Sequence, residues 1–168
     1  KILSNLILDK MREIGPIEFT EEEYEFARQM EQSFTPDQKA GVMSMLQVPE
    51  HLWDLTLSDQ IIPIFDEGKT MPASTDVGDV SWVAPLAQFT TACWGVGTAA
   101  HTWQATAYSG SSIGYKGMLF AAKTLALCVS ELMCNPTIVL QAQEEFKNST
   151  KGMKYDCAIP PEIIPDIE

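Results

Sequence analysis

The sequence predicts an α/β fold that is rich in helices and contains two or three strands. Apolar residues recur at helical spacing in the first part of the chain and again after residue 112. Two short segments between them, residues 60–65 and 86–94, are rich in branched and aromatic side chains, as strands are. Because so few strands do not make a free-standing doubly wound domain, the pattern favours one segment of a larger sheet-containing protein.

Three helices are predicted near the start of the chain. The apolar spacing in "KILSNLILDKMREIGP" predicts a helix that stops at Gly15 and Pro16. In "FTEEEYEFARQM", Thr20 and Glu23 form a capping-box pattern at the start of a second helix. The segment "FTPDQKAGVMSML" repeats this pattern, with Thr35 as the predicted cap of a third helix. The acidic residues of these helices are expected to lie on solvated faces.

The later elements follow from turn residues and apolar runs. Pro63 in "QIIPIF" favours an edge strand or an irregular one. The polar stretch "DEGKTMPASTDVGDVSW" predicts a long loop that runs into a helical turn. After residue 112, a long helix is apolar nearly all round with one narrow polar stripe, so we expect it to be buried on most sides. Asn135 and Pro136 end it and begin a last helix that reaches about Lys147.

The composition limits the classes of function. The chain has 168 residues, 45% of them apolar, and a formal net charge of −12, which disfavours nucleic acid and anionic membrane surfaces as partners. The most apolar run, "MLFAAKTLALCVSELM", is short and interrupted by Lys123 and Glu131, which argues against a membrane span. The four cysteines show no C-x-x-C spacing, so buried, reduced thiols and a cytoplasmic location are expected.

The stretch "GVGTAAHTWQATAYSGSSIGYKG" (95–117) has three interpretations, all centred on His101. A dinucleotide-binding loop is disfavoured, because only a short helical segment follows the glycines and residues 114–125 contain no acid. A hydrogen-bonded core histidine is the ordinary interpretation. A metal ligand is the third, since imidazole binds zinc and manganese. His51 has no matching spacing, so this chain can offer only one histidine to a shared site.

Three motifs carry a family resemblance. The segments "STDVGDVSW" (74–82), "GTAAHTWQ" (97–104) and "SSIGYKGM" (111–118), in this order, resemble the C-terminal part of the dinuclear-metal amidohydrolase and peptidase family. That family includes aminoacylases, carboxypeptidase-G-type enzymes and dipeptidases. The resemblance is strongest to the branch that contains the B subunit of aminobenzoyl-glutamate hydrolase. In that branch a segment similar to "KILSNLILDKMREIGPIEFTEEEYEFARQ" follows the inserted lid domain.

The resemblance implies a fold and an activity. Residues 1–168 would form the C-terminal part of a three-layer αβα catalytic domain, without the lid domain and the N-terminal metal-binding half. The complete enzyme would be a metal-dependent amidohydrolase with two zinc or manganese ions. It would cleave the amide bond of an N-acyl amino acid, a dipeptide or an aminobenzoyl-glutamate-like substrate. The expected partners are the rest of the catalytic domain and the lid, in a homo-oligomer.

The resemblance also implies site residues. His101 in "AAHTW" matches a histidine that ligates one of the two metals in the family. In the family, a Thr/Ser-Asp/Glu loop lies near the substrate pocket, and a stretch of backbone lines the site. The implied substrate-binding residues are Ser74, Thr75, Asp76, Gly95 and Gly97.

The other family motifs are not found in this chain, which leaves two hypotheses open. The remaining metal ligands, the general-base glutamate and the lid histidine have no counterpart here, and Glu21–Glu23 belong to a capped helix start. The chain alone is therefore expected to be inactive. The alternative is a non-catalytic binding or assembly module that kept the fold.

Several residues near these motifs have an ordinary interpretation beside the functional one. Asp76 is a pocket residue, the cap of a helix that begins near Val77, or both at once. Lys116 is either a partner for a substrate carboxylate or an exposed lysine in the first turn of its helix. Three tryptophans are expected to be packing residues rather than the lining of an aromatic pocket. They are Trp82, Trp94 and Trp103.

Overall fold

The computed structural model describes residues 1–35, 37–70, 75–157, 159–160 and 162–163. Within these residues it contains seven α-helices and one 3₁₀-helix, Glu50–Leu52. The α-helices are α1 (Ile2–Ile14), α2 (Glu21–Glu31), α3 (Gln38–Met45), α4 (Val77–Val83), α5 (Trp103–Ser109), α6 (Ser112–Cys134) and α7 (Pro136–Ser149).

The predicted α/β fold is wrong for the described part of the chain, which is helical and contains no strand. Residues 60–65 and 86–94 have the side chains of strands, but they form irregular segments. A strand is stable only when its N–H and C=O groups pair with a neighbouring strand, and the described residues supply no such neighbour. The expectation of two or three strands, and of a sheet layer within these residues, is thereby overturned.

Helices α1 and α2 form as predicted. Gly15 adopts φ 86°, a left-handed conformation that favours glycine, and its N–H donates to the carbonyl of Met11 at 3.1 Å to end α1. At the start of α2, the Thr20 hydroxyl accepts the N–H of Glu23 at 3.3 Å, while the Glu23 carboxylate accepts the N–H of Thr20 at 2.7 Å. Both halves of the capping box are therefore present.

The start of α3 differs from the prediction. The backbone makes a turn first, in which the carbonyl of Thr35 accepts the N–H of Gln38 at 3.0 Å, and the helix begins at Gln38. Asp37 occupies the cap position without a capping side-chain bond. The prediction of Thr35 as the cap is therefore wrong, because the extra turn moves the helix start beyond the reach of its hydroxyl.

A small core joins α2 to the start of α6. Its buried members are contributed by α2, α5, α6 and the segment before the first irregular stretch. They are Ala27, Met30, Leu57, Tyr108 and Ile113. The rings of Phe26 and Tyr108 meet edge to face, with centroids 5.5 Å apart. Aromatic pairs of this kind add to the free energy gained from burial alone.

Helix α6 lies at the centre of the helical contacts and packs against α1, α5 and α7. Glycines allow the close approach of its first turns. A Cβ at Gly114 would lie 2.6 Å from the carbonyl oxygen of Tyr108, and a Cβ at Gly117 would lie 2.6 Å from the Sγ of Cys93. Any larger residue at either position would push α6 away from α5 and from the segment around Cys93.

The expectation that α6 is buried on most sides is wrong for this chain. Thr124, a member of the polar stripe, is fully buried, whereas Met133 is 81% exposed. The helix runs for 23 residues and contains an 18-residue stretch with a mean hydropathy of 1.5, so it is long and apolar enough to cross a membrane. The length argument against a span is thus wrong, although length and composition are weak support for one, since core helices pass the same test.

The four cysteines are free thiols, as predicted. Only Cys128 is buried, and burial raises the pKa of its thiol. Cys93 is half-buried, while Cys134 and Cys157 are exposed. The prediction that all four are buried is therefore wrong.

Candidate functional site

The loop that carries His101, residues 95–102, is fixed to the core by hydrogen bonds. The N–H of Val96 donates to the carbonyl of Thr56 at 2.9 Å. Buried Thr98 donates through its hydroxyl to the carbonyl of Gly95 at 2.7 Å. The Val96 bond ties the loop to the segment that follows the 3₁₀-helix, and the Thr98 bond closes a turn within the loop, so His101 extends from a base held at both points.

Both glycines at the base of this loop are required by their neighbours. A Cβ at Gly95 would overlap the hydroxyl of Tyr108 and lie 2.8 Å from its Cζ. Gly97 has φ 84°, and a Cβ there would lie 3.1 Å from the Cα of Lys39. Burial, with a smaller contribution from the charge of Glu31, raises the pKa of Tyr108 to about 12, so its hydroxyl remains neutral.

His101 itself is exposed and has a left-handed backbone, with φ 61°. The next residue, Thr102, caps α5: its hydroxyl accepts the N–H of Ala105 at 3.3 Å and donates to the carbonyl of Ala99 at 2.7 Å. The interpretation of His101 as a buried core residue is therefore wrong. A left-handed non-glycine residue costs free energy, and such residues concentrate at functional sites.

The described residues do not gather the ligands of a metal ion in one place. Among the described residues, no group of three or more His, Cys, Asp and Glu side chains could hold a metal ion. His51, the second histidine, is exposed on the 3₁₀-helix Glu50–Leu52. His101 can therefore ligate a metal only in a site that other residues complete.

The second candidate loop precedes α4. Ser74 lies outside the described residues. The Thr75 hydroxyl accepts the N–H of Val77 at 3.3 Å and so forms the local turn. Asp76 occupies the cap position of α4, but its carboxylate makes no capping bond there and the residue is exposed. Asp76 therefore holds the predicted cap position of a helix that begins at Val77, but its side chain does not cap that helix, because the Thr75 hydroxyl accepts the nearby N–H instead.

A contact with the C-terminal segment holds α4, and the sequence patterns missed it. The Tyr155 hydroxyl donates to Asp79 at 2.9 Å, and the Tyr155 ring stacks on Trp82 with centroids 6.3 Å apart. The hydrogen bond to Asp79, and then one to Cys157, raise the pKa of Tyr155. Since 76 residues separate Tyr155 from Asp79, no local spacing in the sequence signals this pair.

The predicted site residues thus lie on two separate loops. Gly95, Gly97 and His101 share one loop, and Thr75 and Asp76 share the other. In the described part of the chain, no hydrogen bond joins one loop to the other.

Comparison with known proteins reveals one strong similarity. No protein-family profile matches the chain, and no solved structure matches it. Over 98% of its length, the chain is 31% identical to the B subunit of the p-aminobenzoyl-glutamate hydrolase of Escherichia coli (strain K12). The chain resembles that hydrolase subunit. It spans 36% of the length of this relative.

The match to the p-aminobenzoyl-glutamate hydrolase supports the amidohydrolase branch that the three sequence motifs indicate. Because nearly the whole chain aligns, the similarity does not depend on one short motif. The metal ions, and the place of this chain within a longer protein, stay predictions.

Lys116 and Trp94 are both engaged in hydrogen bonds within the chain. Lys116 donates to the Glu23 carboxylate at 2.6 Å and to the carbonyl of Glu18 at 2.8 Å, so the interpretation of a simply exposed lysine is wrong. A role toward a substrate carboxylate stays a prediction. Trp94 borders the core and donates from its indole nitrogen to the Ser109 hydroxyl at 2.9 Å. Trp103, next to the His101 loop, is 62% exposed, contrary to the expectation of a packing residue.

A groove of about 410 Å³ lies apart from both candidate loops. It is bounded by α1, by the two irregular segments and by Phe120 of α6. Among the described residues, none of those predicted for metal or substrate lines it. This concave surface is therefore a feature of the irregular segments rather than of His101.

Proposed function

We propose that this chain is the C-terminal segment of the catalytic domain of a metal-dependent amidohydrolase. The rest of that protein would supply the N-terminal metal-binding half and the lid domain. The substrate would be an N-acyl amino acid, a dipeptide or an aminobenzoyl-glutamate-like amide. The observation that carries the proposal is the 31% identity to the B subunit of p-aminobenzoyl-glutamate hydrolase over 98% of the chain.

In this proposal His101 is one metal ligand. Its exposure and its position on a loop tied to the core support the assignment, since a ligand must reach ions held by other parts of the protein. The strained φ of 61° is a further support, because strain of this kind persists where a side chain must be aimed. Two zinc or manganese ions in such a site would activate a water molecule and polarise the scissile carbonyl.

The substrate-side residues in this proposal are Thr75 and Asp76, with Ser74, on one loop, and the backbone at Gly95 and Gly97 on the other. The Asp76 carboxylate makes no capping bond, so it is available to a ligand. The backbone at Gly97 needs a left-handed φ and excludes a side chain. The general base would come from outside this chain, so residues 1–168 alone would not turn over substrate.

The first test is to sequence the reading frame around this segment. A frame that encodes a His-containing metal motif, paired glutamates and a lid insertion supports the proposal. A frame that encodes those motifs with the ligands replaced contradicts it and favours the binding or assembly module.

The second test measures metal content and hydrolysis of aminobenzoyl-glutamate by the full-length protein. His101→Asn should lose one equivalent of bound metal and most of the activity, because asparagine tolerates the left-handed backbone but removes the imidazole. His51→Asn is the matched control, since His51 is the other exposed histidine. Equal metal content in both variants would show that His101 is not a metal ligand.

A further inference from the structure

The carboxylate of Glu31 lies at the carboxyl end of α2 and makes two contacts outside its own helix. Its Oε1 pairs with the ammonium of Lys39 on α3, and its Oε2 accepts the hydroxyl of Thr56 at 3.4 Å. The side chains of Glu31 and Lys39 are both partly buried, so solvent ions screen this pair less than a surface pair. Glu31 therefore joins α3 and the segment after the 3₁₀-helix to the end of α2.

Both contacts of Glu31 lead on to the base of the His101 loop. The carbonyl of Thr56 accepts the N–H of Val96 at 2.9 Å. The side chain of Lys39 lies against the buried backbone of Gly97, where a Cβ would be 3.0 Å from the Cβ of Lys39. Since Val96 and Gly97 are adjacent, one carboxylate holds the loop at two successive residues through two different neighbours.

Lys39 is held by a second acceptor as well. Its ammonium donates to the carbonyl of Leu55 at 3.1 Å, in addition to its pairing with Glu31. The aliphatic part of Lys39 therefore cannot leave Gly97 without the loss of both ammonium contacts. Because Gly97 has no side chain, this aliphatic part supplies the packing at that point of the loop.

The position of Glu31 is unfavourable for its own helix. The carbonyl groups at the end of a helix carry partial negative charge, so an acid in the last turn is disfavoured. Glu31 is the last residue of α2, whereas the acids Glu21–Glu23 occupy the favourable first turn. Proteins tend to break a local rule of this kind at functional sites and to compensate for it elsewhere. Here the compensating partners are Lys39 and Thr56, which both contact the His101 loop.

We propose that Glu31 and Lys39 form a positioning pair that sets where His101 lies. This inference rests on the proposed function, in which His101 is a metal ligand. The pair acts through the backbone of Val96 and Gly97 and takes no part in ligation itself. A ligand must lie within about 0.2 Å of its ideal distance from the metal, so a small displacement of the loop base is enough to weaken binding.

The rest of the loop passes such a displacement on to His101. The Thr98 hydroxyl donates to the carbonyl of Gly95 at 2.7 Å, and the Thr102 hydroxyl donates to the carbonyl of Ala99 at 2.7 Å. The loop therefore has internal hydrogen bonds before and after His101. It moves together with its base rather than bending between the base and the imidazole.

The zinc affinity of the full-length protein, measured by competition with a chelator, tests the pair. Glu31→Gln keeps the shape of the side chain and removes its charge. It should weaken zinc binding by about tenfold, the lower end of the range for residues that orient a ligand. Lys39→Met keeps the aliphatic part beside Gly97 and should weaken binding less than Lys39→Ala, which removes it. Glu25→Gln is the matched control, because Glu25 lies on the same helix and pairs with Arg28 at an exposed position.

A double variant separates positioning from a general effect on stability. In the His101→Asn background, Glu31→Gln should change the zinc affinity no further, because the ligand that the pair positions is gone. Equal weakening in both backgrounds would assign Glu31 to fold stability alone and overturn the proposal. A zinc affinity of Glu31→Gln equal to that of the wild type would overturn it as well.

Amide hydrogen exchange on the 168-residue chain checks the loop directly. In Glu31→Gln the N–H of Val96 should exchange about tenfold faster, while the amides of α6 keep their rates, because only the loop base is released. An unchanged Val96 rate would overturn the positioning pair. Faster exchange throughout α6 would show a lost fold rather than a released loop, and would overturn it too.

These measurements keep the inference apart from the proposed function. A wild type that binds no zinc would contradict the proposed function, and the Val96 exchange rate would still decide whether the pair holds the loop. Zinc binding that His101→Asn weakens and Glu31→Gln leaves unchanged would overturn the positioning pair alone.

Discussion

The ammonium of Lys116 on α6 lies 2.6 Å from the buried carboxylate of Glu23 on α2. The same carboxylate accepts the hydroxyl of Ser112 at 2.6 Å and the N–H of Thr20 at 2.7 Å. Burial by itself would raise the pKa of Glu23, but these three donors outweigh it and hold the pKa below its usual value. Glu23 thus caps α2 and also binds two side chains in the first part of α6.

Removal of this carboxylate should destabilise the chain in a pH-dependent way. At neutral pH, Glu23→Gln should lower the free energy of unfolding by about 1.5–3 kcal/mol, the range for hydrogen bonds to charged groups. Because the folded pKa lies below the unfolded value near 4.5, the contribution is complete above that value and is lost as the pH falls through the folded pKa. Urea unfolding at neutral and acid pH measures it.

The control for this experiment is Glu144→Gln, which removes an exposed acid from α7. It should change the stability by no more than about 0.5 kcal/mol at either pH. The difference in the free energy of unfolding between the wild type and Glu23→Gln should be smaller at acid pH than at neutral pH. An equal difference at both would show that the ionised form of Glu23 is not what stabilises the chain.

Substitution of Gly95, at the base of the His101 loop, should be strongly destabilising. In Gly95→Ala the new methyl group would overlap the Tyr108 hydroxyl and approach the Thr56 carbonyl at 3.3 Å, so we expect a loss of about 1–3 kcal/mol. Gly41→Ala is the control, because Gly41 lies within α3 with open space around it and should gain about 0.5–1 kcal/mol. Thermal unfolding of both variants compares them directly.

Relief of the strain at His101 should stabilise the isolated chain. Glycine adopts a left-handed φ without cost, so His101→Gly should raise the free energy of unfolding by about 0.5–1 kcal/mol. His101→Ala keeps the strained backbone and should give no such gain. A His101→Gly chain that is less stable than the wild type would mean that the imidazole makes a stabilising contact, which an exposed metal ligand would not.

The C-terminal segment around Tyr155, which contacts α4, should become more mobile when the Tyr155 hydroxyl is removed. Tyr155→Phe loses the hydrogen bond to Asp79 and should speed tryptic cleavage after Lys154, with cleavage after Lys10 in α1 as the internal control. Because the pKa of Tyr155 is raised, its contribution is complete below the unfolded value of 10.0 and is lost as the pH rises through the folded value. Unchanged cleavage after Lys154 would show that ring stacking on Trp82 is sufficient.

Features that depend on a few neighbouring residues could be predicted from the sequence. The end of α1 at Gly15 and the capping box of Thr20 and Glu23 need only the adjacent backbone. The three ordered motifs likewise indicated the branch of the p-aminobenzoyl-glutamate hydrolase, which the similarity over the whole chain supports. Local hydrogen-bond geometry and residue order are properties that the sequence carries directly.

Two predictions of a helix cap failed because a different local hydrogen bond formed at the helix start. Thr35 matched a cap pattern, but a backbone turn moved the start of α3 to Gln38. Asp76 matched a cap position, but the neighbouring hydroxyl of Thr75 accepts the N–H of Val77. In both cases the sequence is compatible with the predicted hydrogen bond and with the observed one. Only the path of the backbone decides which of the two forms.

Tertiary structure alone decided which surfaces the chain covers. The sequence carries the apolar character of α6 and the strand-like composition of residues 60–65 and 86–94, since composition and spacing belong to each segment. Whether an apolar face is buried, or a strand-like segment becomes a strand, depends on a partner, and in the described residues these partners are not supplied by the chain itself. Burial and strand pairing are relations between distant segments, so their outcome is determined only when those segments meet.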